Sequence, residues 1–177
     1  VGDRLQRIAT IVAVDRQNDL AVVKVGSSAS DYSKIRIEPS VEIGESVTVF
    51  GFPLSTTLSS TGNLSTGIVS ALAGIGNDTS KYQVSAPVQA GNSGGPVYDE
   101  RGALIAVVQS KLNALATIKY LGDLPQNVNF AIKQNVLIEF LKANKISYEV
   151  HEGIKKLSLV EIGRLAQRQS LRLVCFN

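Results

Sequence analysis

Over its first 140 or so residues the chain never sustains an apolar pattern for long. Short β-branched runs end repeatedly in clusters of Gly, Asn, Asp and Ser, and this punctuation restricts what the segment can become. Such runs suit strands, and candidate strands fall at 5–14, 20–25, 46–50, 67–71, 82–86, 103–108 and 128–132. Their spacing, with turn signals between them, predicts an all-β sandwich or barrel. No alternation of strand with helix is visible, which argues against a parallel sheet. The 177 residues suit one domain or two small halves around a shared site. Hydrophobic residues at 44% and charged residues at 19% suffice for a buried core and exclude a disordered chain. Fifteen Gly without any Trp or Met fit a turn-rich β-protein.

The period changes at Gln134. Val136 and Phe140, and Leu137 and Leu141, stand four apart, which predicts a helix over 134–141 that Asn144 stops. A second helix is expected to begin at Ser158, because Ser158 and Glu161 have capping-box spacing ahead of Ile162 and Leu165. It should end near Gln169. Leu171, Leu173 and Cys175 then alternate like a last short strand. Residues 146–157 are the expected linker.

Several functions are set aside by what surrounds these elements. The net charge is only +3, and the basic residues are scattered. Arg164, Arg168 and Arg172 come closest to a cluster, but no aromatic residues interleave with them, so they read as a solvated face and not as a nucleic-acid surface. Cys175 is the sole cysteine, so no disulfide and no metal site are expected, and no cofactor is called for. No apolar run has membrane-spanning length. The start, Val1-Gly2-Asp3-Arg4, lacks an initiator Met and reads as mid-domain sequence, so the chain is expected to be part of a longer product.

The stretch that carries chemistry is Gly91-Asn92-Ser93-Gly94-Gly95-Pro96. A serine attacks poorly unless a base takes its proton and backbone N–H groups face the developing oxyanion. Gly91, two residues before Ser93, lets the backbone turn so that both N–H groups point one way. The glycine pair after Ser93 removes side chains that would block substrate, and Pro96 prevents a helix from starting. Other readings of the run exist. It could be an ordinary Gly-rich turn. A phosphate-cradling loop would need a following Lys and a helix, and neither is there. Gly91, Ser93 and Gly95 also fit G-x-S-x-G, and the order Ser93, Asp123, His151 fits an α/β-hydrolase. That elbow must lead into a helix, which Gly-Gly-Pro-Val-Tyr does not start.

With these residues the chain resembles the trypsin-like peptidases of the bacterial, HtrA-type branch. Asn18-Asp19-Leu20-Ala21-Val22-Val23-Lys24-Val25 is similar to their catalytic-Asp segment, and the run 91–96 to their active-serine signature. Gly51-Phe52-Pro53-Leu54 with Thr66-Gly67-Ile68-Val69-Ser70-Ala71 resembles the start of their second barrel. Gly102 to Val108 resembles the strand after the serine loop, and Asn129-Phe130-Ala131-Ile132 the last strand before their C-terminal helix. The match covers about residues 5–145. It implies two antiparallel β-barrels with the active site between them, the first barrel incomplete here, followed by a C-terminal helix and a short helix-strand tail. It divides the chain into a first-barrel remnant at 1–35, a second barrel with its helix at 36–145, and a tail at 146–177.

The resemblance also implies roles. Ser93 is the nucleophile, and Gly91 and Ser93 supply the oxyanion-hole N–H groups. Asp19 would orient a histidine and stabilise its imidazolium; Asp15 is its local competitor. The family's His lies well upstream of the Asp, but only 18 residues precede Asp19, and none is His. The sole His, His151, reads as a linker residue beside Glu152. The primary substrate pocket would be bounded by Ala86, Pro87 and Val88 and, across from them, Gln109, Ser110 and Lys111. No carboxylate stands there to bind Arg or Lys, so a small or apolar residue fits best. The expected function is a serine endopeptidase acting on polypeptides, with this chain alone inactive. The alternative is a non-catalytic domain that binds a partner through its cleft. The half-built barrel leaves open edges that invite chain–chain pairing. The resemblance suggests a periplasmic or secreted location.

Overall fold

The computed structural model describes residues 7–26, 31–53, 62–109 and 127–175. Two strands, β1 (Ala9–Asp15) and β2 (Leu20–Val25), form an antiparallel hairpin. Six more close into a barrel: β3 (Ser46–Gly51), β4 (Asn63–Ala71), β5 (Lys81–Val84), β6 (Pro96–Tyr98), β7 (Leu104–Val108) and β8 (Asn129–Lys133). The order around the barrel is β3-β4-β5-β8-β7-β6, every pair is antiparallel, and β3 meets β6 to close it. Closure satisfies the backbone groups that an open sheet would leave at its edges. The barrel is the expected one.

Alternation explains the core. Val47, Val49, Val69, Val84, Val97 and Val108 point inward and are all but inaccessible to solvent. β-branched side chains pack well on a pleated inner surface. Phe50 points the other way and is also buried, under the C-terminal helices. Strand β6 was not among the expected strands. Three residues between Gly95 and the Asp99 turn are too few to show a period. Pro96 occupies its first position, where the missing N–H is tolerated.

Outside the barrel, the described residues form one further sheet, the two-stranded β1–β2 hairpin. Its turn is built by Asp15, whose carboxylate accepts from the Gln17 and Asn18 N–H groups at 3.0 and 3.1 Å. Leu20 anchors the hairpin against Ile132 and Phe140. On β1, Ile11, Val12 and Val14 remain exposed, as does Ile8 just before it.

Helix α1 (Gln134–Ala143) runs two residues past its expected end. Asn144 stops it, with its Nδ2 donating to the Phe140 carbonyl at 2.8 Å. Helix α2 (Leu159–Gln169) starts as the sequence indicates. Ser158 Oγ accepts from the Glu161 N–H, and Glu161 Oε2 accepts from the Ser158 N–H at 2.7 Å. Its buried face, Ile162 and Ala166, covers Phe50 and Tyr98. Replacing Ser158 with Ala should cost about 1 kcal/mol of stability, read as a lower urea midpoint at unchanged slope. The 146–157 stretch is tied to the barrel: Ile35 donates to Glu149 O and accepts from the His151 N–H, and Leu157 donates to Glu100 O. Leu171, Leu173 and Cys175, expected to form a last strand, pair with no described strand; residues 171–175 are exposed. Alternation alone makes no strand without a neighbour whose backbone accepts it.

Candidate active site

The serine loop joins β5 to β6 and is pinned at several points. Gly94 donates to Val108 O at 2.8 Å, and Val108 donates back to Gly95 O at 2.9 Å. Asn92 donates to Gln89 O, Gly95 to Asn92 O, and Phe52 to Gly91 O at 3.1 Å. Within residues 91–95 these bonds use the neighbours' backbone groups and leave two donors over. Among the described residues, the N–H groups of Gly91 and Ser93 meet no acceptor. Ser93 is exposed, whereas Asn92 beside it is buried, its Oδ1 without a partner.

Close approach explains two of the glycines. A Cβ on Gly95 would lie 2.2 Å from the Phe50 carbonyl oxygen and 2.8 Å from that of Asn92. A Cβ on Gly91, at φ +99°, would lie 2.5 Å from the Phe52 carbonyl oxygen. Both obstacles are backbone, so neither can rotate away. Gly94→Ala meets open space and should cost roughly 1 kcal/mol for its positive φ. Gly95→Ala should cost more, about 2–3 kcal/mol, because β3 and the loop must part. Urea unfolding of the two variants side by side reads the order.

Ser93 opens onto a cleft of about 630 Å³. One wall is Phe50, Gly51, Phe52 and the serine loop; the facing wall is the C-terminal segment from Gln169 to Cys175. That second wall escaped sequence reasoning, since nothing local marks residues 170–175 as neighbours of a loop nearly 80 positions earlier. It is held by side chains. Gln169 Nε2 donates to Asp31 Oδ1, and Arg168 Nε to Asp31 Oδ2, each at 2.6 Å. Hydrogen bonds from Arg168 and then Gln169 hold Asp31 below its ordinary carboxylate range. Gln169 Oε1 lies 3.0 Å from Ser33 Oγ and 3.1 Å from the Tyr98 hydroxyl, and those two oxygens are 2.6 Å apart. Burial pushes Tyr98 up to about 12, so its phenol keeps its proton near neutrality.

The other expected site residues are dispersed. Asp19 closes the β1–β2 turn, exposed, with φ +57°, and does not line the Ser93 cleft. Ala86 and Val88 belong to the barrel core, and Pro87 is exposed between them. Gln109, half-buried, donates its N–H to Phe130 O at 3.0 Å. Ser110, Lys111 and Asp123 fall outside the described residues. His151 is half-buried, with its ring against Gly153, and also does not line the cleft. After Ser93 comes a strand and not a helix, so the elbow reading of G-x-S-x-G is excluded.

A family described as trypsin-like peptidase domain matches residues 2–107. The uncharacterized protein y4bJ of Sinorhizobium fredii is 48% identical over 97% of this chain and 27% of its own length. A protein named serine protease HtrA-like, from Staphylococcus aureus, is 31% identical over 94% of this chain and 22% of its own. The chain thus spans about a quarter of the length of these curated relatives. Among solved structures, a serine endoprotease from Yersinia pestis superposes with a TM-score of 0.62 at 25% identity, covering 78% of this chain and 44% of that one. An HtrA-type protease, AlgW with decapeptide, gives 0.63 at 23% identity, a likeness of fold, over 78% of this chain and 41% of that one.

Proposed function

The chain belongs to the trypsin-like peptidase family, on its HtrA-type branch, and from that premise we propose that Ser93 is the nucleophile of a serine endopeptidase site. The observation that carries this is the pair of unpartnered N–H groups, Gly91 and Ser93, flanking an exposed hydroxyl at the mouth of a cleft. Ser93 Oγ attacks the peptide carbonyl while a histidine takes its proton. The carbonyl oxygen becomes an oxyanion, and the two N–H groups stabilise it. The imidazolium then protonates the leaving amine, and water hydrolyses the acyl-Ser93 ester by the same base. Although Asp19 does not line the Ser93 cleft, we assign to it, on the resemblance of residues 18–25 alone, the holding of the imidazole's tautomer and the stabilising of its charged form. The base itself comes from outside these 177 residues, because the sole histidine, His151, is tied by its backbone to Ile35 away from the cleft.

The primary pocket is bounded by the backbone of residues 86–88 and by the segment starting at Gln109. No carboxylate stands at those positions, which supports a small or apolar substrate residue. A second reading, a non-catalytic domain that binds a protein partner, draws on the exposed apolar side chains of Ile8, Ile11, Val12 and Val14. Hydrolysis of casein by a longer chain extended upstream separates the two. The peptidase reading expects cleavage that Ser93→Ala abolishes; cleavage by neither chain favours the binding domain.

A further inference from the structure

The wall of the cleft that faces Ser93 has groups with nothing to bind. Helix α2 ends at Ser170 in extended geometry, φ −111° and ψ 135°. Ser170 Oγ is buried without a hydrogen-bond partner. From there to Cys175 no backbone N–H or C=O pairs with another described residue. Leu171, Leu173 and Val174 are 69%, 60% and 50% exposed, although they line a cleft. Among the described residues, Arg172 is the only charged one of the lining. Unpaired backbone beside exposed apolar side chains is a surface suited to an added strand.

The segment is nevertheless fixed at its root. Gln169 and Arg168 are bonded to Asp31, and Gln169 meets Ser33 and Tyr98. Tyr98 ends β6, the strand that leaves the serine loop. The wall is therefore anchored in part, through Tyr98, to the strand that follows the nucleophile and in part to Asp31 and Ser33.

The geometry points to residues 170–175 as a peptide-binding edge: an extended polypeptide with apolar side chains lies along this segment as an added strand as it passes Ser93. Its backbone supplies the partners that residues 171–175 lack. Its apolar side chains cover Leu171, Leu173 and Val174, and Arg172 disfavours basic residues beside it. The peptide's being a substrate rests on the reading of Ser93 as a nucleophile, but the binding edge itself does not.

Amide hydrogen exchange on the 177-residue chain tests it. The probes are the capped peptide acetyl-Ala-Leu-Val-Leu-Ala-amide and its counterpart with Lys in place of both Leu. The apolar peptide should slow alternate amides within 171–175 at least tenfold, the period a strand produces. The lysine peptide should not. Leu173→Lys should weaken the protection, and Leu173→Pro should remove it from that stretch while unfolding by urea stays cooperative. Protection confined to the amides of 91–95, equal protection by both peptides, no protection by either, or amides of 171–175 already slow without peptide would each overturn the proposal. Fluorophosphonate labelling of Ser93 in a longer chain is scored separately. Protection in the tail without labelling refutes the nucleophile and leaves the edge; labelling without protection does the reverse.

Discussion

Replacing Arg36 with Ala is expected to lower the stability of this chain by about 3–5 kcal/mol, the cost of leaving the buried Asp99 carboxylate and the half-buried Glu45 without their partner. Arg36 is 6% exposed and is bonded through all three guanidinium nitrogens. Nε donates to Pro39 O at 2.8 Å. Nη1 reaches Glu45 Oε2 at 2.6 Å and Asp99 Oδ2 at 3.1 Å, and Nη2 reaches Glu45 Oε1 and Ser40 O, each at 3.0 Å. Asp99, 3% exposed, spends its other oxygen on the N–H groups of Arg101 and Ala103. Without the guanidinium, buried Asp99 and half-buried Glu45 lose the charge that pairs them both. Arg36→Lys should recover only part of the loss, since an ammonium cannot make the fork to Glu45. Burial pushes Glu45 up, but the hydrogen bonds from Arg36 and from the Glu42 N–H bring it below its ordinary value. Its contribution is therefore present above the unfolded carboxylate pKa and fades as pH falls through the lower folded one. The Arg36→Ala loss should accordingly shrink in acid. A loss under about 1 kcal/mol at neutral pH, read by urea unfolding, would show the cluster to be energetically idle.

The second large effect is on activity. In a longer chain that restores an upstream histidine, Ser93→Ala should lower kcat by roughly 10⁴- to 10⁶-fold, leaving what oxyanion stabilisation and binding supply without a nucleophile. Asp19→Asn in that chain should cost about 10⁴-fold, since the wrong imidazole tautomer would then be held. Asp15→Asn separates the two acidic candidates. Asp15 is committed to its own turn, accepting from Gln17 and Asn18, and its replacement should act on the hairpin and leave the chemistry standing. Peptide hydrolysis under saturating substrate reads all three variants. A greater loss in Asp15→Asn than in Asp19→Asn would reverse the assignment of the acid.

The elements most legible in the sequence are those whose signals are local. The capping box at Ser158 and Glu161 placed the start of α2, and the four-residue spacing of Val136 with Phe140 placed α1. Short β-branched runs marked β3 and β7, and in β3 Val47 and Val49 alternate into the barrel interior. Strand β6 was hidden by its length: three residues between a glycine pair and a turn carry no period. The tail misled for the opposite reason. Leu171, Leu173 and Cys175 alternate, but a strand needs a partner, and none of the described residues pairs with them. At the site, the Gly91–Ser93–Gly95 pattern was readable because backbone packing against Phe50 and Phe52 forbids side chains there. Its facing wall was not readable, since it depends on Asp31, Ser33 and Tyr98 reaching Gln169 across more than 70 positions of sequence.

The central proposal is that Gly91 and Ser93 supply the oxyanion hole and Ser93 the nucleophile, with the base coming from outside these residues. A fluorophosphonate reports an activated serine, because phosphonylation needs the hydroxyl proton removed and the oxyanion held. The decisive measurement labels four samples side by side: the 177-residue chain, its His151→Ala variant, a longer chain extended upstream, and Ser93→Ala in that longer chain. The account predicts label on the longer chain alone, attached at Ser93. Label on the 177-residue chain that disappears in His151→Ala would contradict it, for His151 would then be the base.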